Sequence, residues 1–260
     1  MVYLGRKIDR TGEIGYNNFG SKMTIVKYNT HNDMTVLFED GFTRKCNYKD
    51  FKCGNVKNPY EPRVYGHGYL GETNDKYTSR NGKPSIEYKS WNHMLERCYD
   101  DKYKLKYPTY DGVICCDSWL NFSNYVPWFK CDYYEVPGER MCLDKDILCK
   151  GNKIYSPENC CFVPNNINVL FVKSNALRGE LPIGVTIHKP SGKFRSQYNM
   201  FEDGKYKRKH IGLFTNVEDA FQSYKYHKEL TIKKVADYYK QYIPEKVYKA
   251  MYNYEVEITD

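Results

Sequence analysis

No run of about 18 apolar residues occurs anywhere in the 260-residue chain, which excludes a membrane-spanning helix. The opening residues MVYLGRKIDRTGEIGY lack the apolar stretch of a secretory signal, so a cytoplasmic protein is expected. Cys-x-x-Cys is also absent, and the adjacent pairs Cys115/Cys116 and Cys160/Cys161 suit a structural zinc poorly. The ten cysteines are therefore expected to be mostly buried thiols, because a reducing compartment disfavours disulfides and a chain of this length does not need them. Histidine is missing between Met94 and Ile187, which removes the commonest general base from the middle of the chain. There is no internal repeat and no low-complexity tract, and no organic cofactor is expected.

What is present is positive charge and tyrosine. Forty Lys and Arg face 32 Asp and Glu, for a net charge of +8 and a pI near 8.8. Such a surplus favours an anionic partner, and with no membrane segment nucleic acid is the leading one. The 27 tyrosines, combined with lysine, also suit a phosphate-binding surface. The length allows several small modules, each with its own core.

Residues 1–62 read as a small β-barrel. KMTIVKYN and MTVLFEDG are β-rich runs separated by NTHND, and EDG offers a turn before FTRKCNY. Residues 63–87, rich in Gly, Asn and Ser, read as a linker or exposed arm. In EYKSWNHMLERCYDD, Tyr88, Trp91, Met94, Leu95 and Cys98 recur at helical spacing and mark a core face. CDSWLNFSNYVPWF gives a second helix starting at Asp117 or Ser118, with Trp119, Phe122 and Tyr125 inward. From residue 183 to 243 three strands, GVTIHK, KFRSQYNM and KRKHIGLF, precede a helix that Thr215 and Glu218 would open as a capping box. Residues 244–260 are read as a tail.

The stretch LDKDILCKGNKIYSPENCCFVPNNIN, residues 143–168, resembles the core of HNH nucleases in their phage form, in which LD leads to YSPENC and then to an Asn-bearing helix. The resemblance spans 88–182 and implies a β-hairpin and helix cradling one divalent cation, Mg²⁺ or Mn²⁺. It places Asp144 and Asn168 at the metal, Lys145 at the general-base position and Asn159 at the residue that orients the base. The departure is Lys145, because an ordinary lysine is protonated at neutral pH and cannot take a proton from water. Three outcomes are open: Asp146 acts as second ligand or base, metal-bound hydroxide alone gives slow nicking, or catalysis is lost and Lys145 neutralises a phosphate.

The C-terminal strands and helix resemble the apetala-two type of DNA-binding domain, in which a three-stranded sheet is backed by a helix. Alternation in KFRSQYNM points Phe194, Tyr198 and Met200 toward the helix and Arg195, Gln197 and Asn199 away from it. A sheet can enter the major groove, where Arg reads guanine and Gln or Asn reads adenine. Lys189, Lys193, Arg195, Lys205, Lys207, Arg208 and Lys209, set against Glu202 and Asp203, form the electrostatic footprint. His188 and His210 are read as structural or phosphate-contacting.

The resulting expectation is an α+β, phage-type protein with three modules: a barrel similar to Src-homology-three domains, an HNH-like core and an apetala-two-like reader of double-stranded DNA. Its implied activity is metal-dependent nicking of the homing-endonuclease kind. The rival is a nuclease-derived DNA binder without catalysis, acting as a regulator or engaging a host or phage protein partner.

Overall fold

The computed structural model describes residues 8–73, 75–172 and 180–260. The first seven residues, Asn74 of the linker span, and 173–179 of the HNH-like span lie outside it. The chain forms two compact units: 1–106 with 117–126, and 107–116 with 127–260.

In the first unit, β1 (Ile14–Tyr16), β2 (Lys22–Thr30), β3 (Asp33–Phe38) and β4 (Thr43–Cys46) form an antiparallel sheet in chain order. The expected barrel does not form among the described residues. Among the described residues β1 and β4 remain the two edges of an open four-stranded sheet. One face suffices for the core because Met23 and Ile25 on β2 alternate in phase with Met34, Val36 and Phe38 on β3, and all five are buried. The helix α1 (Tyr48–Lys52), capped by Asn47, closes that face with Phe51.

Residues 63–87 hold α2 (Asp75–Thr78) and the hairpin β5 (Ser79–Arg80) with β6 (Lys83–Pro84). Gly68 backs directly onto Leu95 and Trp91. Ser85 then caps α3 (Ile86–Tyr99) by accepting from the Tyr88 amide at 3.0 Å. The helix buries Trp91, Met94, Leu95 and Cys98 as its spacing predicts, and Trp91 donates to the Trp119 carbonyl at 2.6 Å. After α4 (Asp101–Lys106) and β7 (Ile114–Cys115), the expected single helix is two, α5 (Asp117–Leu120) and α6 (Phe122–Asp132). Asn121 interrupts them, its side chain accepting from the amide and hydroxyl of Ser123. Trp119, Phe122 and Tyr125 are buried, as expected.

The second unit contains β8 (Met141–Asp144), β9 (Ile154–Tyr155), β10 (Cys161–Pro164) and the single-turn α7 (Asn165–Asn168). β8 pairs antiparallel with β10, and β9 pairs parallel with β7. Then β11 (Val185–His188), β12 (Lys193–Glu202) and β13 (Lys205–Phe214) form an antiparallel sheet in that order, followed by α8 (Val217–Tyr239) and α9 (Glu245–Tyr252). One core joins them: Val163, Ile167 and Leu170 cluster with Val185, Phe201, Phe221, Ile232 and Val235. The cap of α8 is Asn216, one residue beyond Thr215, and it accepts from the Asp219 amide at 2.7 Å.

All ten cysteines are free thiols. Burial pushes Cys160 and Cys161 well above the usual thiol range, whereas Cys53, Cys131 and Cys149 are exposed. Thiol titration of native protein at pH 8 should therefore be fast at these three positions. Cys98, Cys115, Cys160 and Cys161 should react only on unfolding, and prompt labelling of Cys160 or Cys161 would contradict this packing.

Candidate functional site

The β8–β10 hairpin is linked by residues 145–160, and its first polar group is Asp144, paired across the ladder with Cys161. Asp144 Oδ1 accepts from the backbone amides of Asp146 and Ile147 at 2.7 and 2.8 Å. This is an Asx-type turn, the local use that Asp most often finds at a strand end. Desolvation raises the Asp144 pKa and the carboxylate of Asp146 raises it further, against the two amides and Lys145.

Lys145 is buried, with 8% of its surface exposed. Its Nζ donates to the Asp146 carboxylate and to the Asn152 carbonyl, the latter at 2.9 Å. A general base must present a lone pair, but here the amine acts as a donor, holding the loop across its neck. Asn159 donates to Asn152 Oδ1 at 3.4 Å. Asn168 ends α7, and among the described residues its side chain has no hydrogen bond to the loop. The structure thus brings Asp144, Lys145, Asp146 and Asn159 into one network and leaves Asn168 out of it.

The residue that organises this network, Asn152, was not singled out from sequence. Its Nδ2 donates to the carbonyls of Lys145 and Ile154 at 2.8 Å each, and its Oδ1 also accepts from the Ile154 amide at 3.2 Å. The available signal was the Gly151-Asn152 pair, a turn signature. A divalent cation fits the donor set poorly. Asp146 is committed to an ammonium, one oxygen of Asp144 is committed to amides, and among the described residues no three His, Cys, Asp or Glu side chains converge as a ligand group. His93 sits exposed on α3, in the first unit.

Asn at position 144 would keep the accepting oxygen while removing a desolvated charge. Because the folded pKa of Asp144 is raised, protonation favours the fold: this contribution is complete below the unfolded value and is lost as pH rises through the folded one. Asp144→Asn should thus be at least as stable as wild type at pH 7, with its advantage shrinking as pH falls toward 4. Melting temperatures across that range test this, and a variant markedly less stable at pH 7 would contradict it.

On the C-terminal sheet the pairing sets Thr186 beside Arg195, Gln197 beside His210 and Asn199 beside Arg208. Arg195 Nε donates to Thr186 Oγ1 at 3.3 Å. The expected alternation holds for Phe194 and Tyr198, which pack on the core, with Tyr198 lying 5.0 Å from the His227 ring of α8. It fails at Met200, whose place in the core Phe201 takes, 5.2 Å from the Tyr238 ring. Lys189, Lys193, Lys205, Lys207, Arg208, Lys209 and His210 are exposed, and Arg195 is half-buried. Among the described residues, Lys207 alone of this group has an acidic partner, Glu202 at 3.4 Å. His188 bonds Ser191 across the β11–β12 turn at 2.8 Å, consistent with a structural role.

The first unit has a cleft of about 590 Å³ at the edge strand β4, where Arg44, Lys45 and Lys57 are offset by Asp33 and Asp50. Among the described residues no helix is long and apolar enough to cross a membrane. Comparison of the chain with known protein families, characterised proteins and solved structures finds no match.

Proposed function

We propose that this protein binds double-stranded DNA through the sheet β11–β13, with the β8–β10 hairpin retained as a scaffold without hydrolytic chemistry. The observation that carries this reading is the edge strand β13, where Lys207, Arg208, Lys209 and His210 are consecutive, exposed and, apart from Lys207, without acidic partners among the described residues. Exposed lysine and arginine side chains along a sheet edge are what a phosphate backbone requires. Arg195, Gln197 and Asn199 supply donors and acceptors for base edges. Lys145 acts in this reading as a loop clamp.

The rival reading, metal-dependent nicking, assigns Asp144, Asp146 and Asn168 to Mg²⁺ or Mn²⁺ and needs the Lys145–Asp146 ion pair to open. Gel-shift and supercoiled-plasmid assays on the same protein separate the two. Salt-sensitive binding without nicking in either metal is the expected result. Nicking that EDTA and Asp144→Ala both abolish would replace the scaffold reading with the nuclease one.

A further inference from the structure

Lys150 lies in the same loop and is held by a segment more than a hundred residues away. Its Nζ donates to the Glu255 carbonyl at 2.9 Å and to Asp260 Oδ2 at 2.9 Å, and it pairs with Glu257 Oε2 at 3.3 Å, with the Tyr254 ring 5.0 Å away. Segment 253–260 is itself anchored. Val256 is buried and its amide donates to Glu229 Oε1 of α8 at 2.9 Å, while Tyr254 packs edge-on against Phe171 at 4.8 Å. The two carboxylates differ in kind: Asp260 is 6% exposed and also accepts from the Glu257 amide, whereas Glu257 is 60% exposed.

An ammonium has three donors; two are hydrogen-bonded to the Glu255 carbonyl and Asp260, and Glu257 lies against the amine as an ion pair at 3.3 Å. An incoming anion must compete with one of these partners. The Glu255 carbonyl is fixed by the backbone and Asp260 by burial, so the exchangeable partner is Glu257, whose exposed ion pair is worth only about 0–1 kcal/mol. We infer that Lys150 is a nucleic-acid phosphate site with a built-in competitor, in which Glu257 occupies the amine until a backbone phosphate replaces it while Asp260 and the Glu255 carbonyl keep the amine aimed. This rests on the DNA-binding reading above and adds to it a contact on the loop, separate from the C-terminal sheet. Exchange of one carboxylate for one phosphate leaves the charge on Lys150 compensated in both states, so the contact raises affinity without a desolvated cation in the free protein.

The test is a double-mutant cycle on the full chain, measuring affinity for a short random-sequence DNA duplex as a function of KCl. Glu257→Gln should tighten binding roughly three- to tenfold at low salt and steepen the slope of log K against log[salt] by about one. In a Lys150→Gln background the same substitution should give only the general gain from losing a surface acid, calibrated by Glu245→Gln, an exposed acid paired with Lys249. If Lys150→Gln unfolds because Asp260 loses its ammonium partner, Lys150→Gln with Asp260→Asn serves as the background. An equal gain from Glu257→Gln in both backgrounds, or no gain beyond that of Glu245→Gln, overturns the inference while leaving the reading intact. A folded wild type that retains no duplex at low salt overturns both.

Discussion

Gly184→Ala is expected to cost the second unit about 2–5 kcal/mol of stability. Gly184 opens β11 with φ +79°, a left-handed conformation that costs a residue bearing a Cβ about 1–2 kcal/mol. The added carbon would also overlap the ring of Tyr224. Tyr224 is 5% exposed and packed within the core of α8 and the sheet, so the ring has no solvent to swing into, and overpacking of this kind costs about 1–3 kcal/mol more. Set against the roughly 5–15 kcal/mol that holds a domain together, the sum is large. Gly192→Ala provides the control, because its φ is +67° but nothing lies within 4 Å of the added carbon. Chemical denaturation followed by circular dichroism should show a far larger loss of midpoint for Gly184→Ala than for Gly192→Ala. Equal losses would mean that Tyr224 moves freely and the close approach carries no weight.

The same glycine shows how far local pattern reaches. Strands β2 and β3 were legible because Met23, Ile25, Met34, Val36 and Phe38 are buried at period two, and α3 because Trp91, Met94, Leu95 and Cys98 share one face. Closure of the first sheet was not legible, since alternation specifies a buried face but says nothing about whether the outer strands meet. The cap of α8 was misplaced by one residue because Thr215 and Asn216 are both good caps, and geometry chose Asn216. On β12 the period-two reading failed at Met200, on a strand whose pairing with β13 shifts register between Ser196 and Gln197, an irregularity that alternation alone does not reveal. At the candidate site the sequence marked Asp144, Lys145 and Asp146 as a cluster but not its wiring. The Asn152 clamp is a seven-residue contact hidden in a turn, and the Lys150–Asp260 pair spans 110 residues, a separation at which no local pattern carries information.

Replacing Lys207, Arg208 and Lys209 together by Gln should weaken duplex binding by roughly two to three orders of magnitude at low salt, through the loss of about three phosphate contacts. The three side chains are exposed on an edge strand and none belongs to the core, so unfolding free energy should stay within about 0.5 kcal/mol per substitution. The Lys207–Glu202 pair lost in the process is itself solvent-exposed and worth little. The diagnostic quantity is the salt dependence: the slope of log K against log[salt] should fall by about two to three, uniformly across DNA sequences. Arg195→Ala or Gln197→Ala should behave differently, with a smaller loss of affinity and a relaxed preference at one base position, because a base contact discriminates while a phosphate contact does not. If the triple variant binds as tightly as wild type with an unchanged slope, β13 is a solvated edge and the sheet is not the DNA-binding surface. If Arg195→Ala also lowers the slope by about one without changing sequence preference, the sheet grips the backbone only, and sequence is not read on this face.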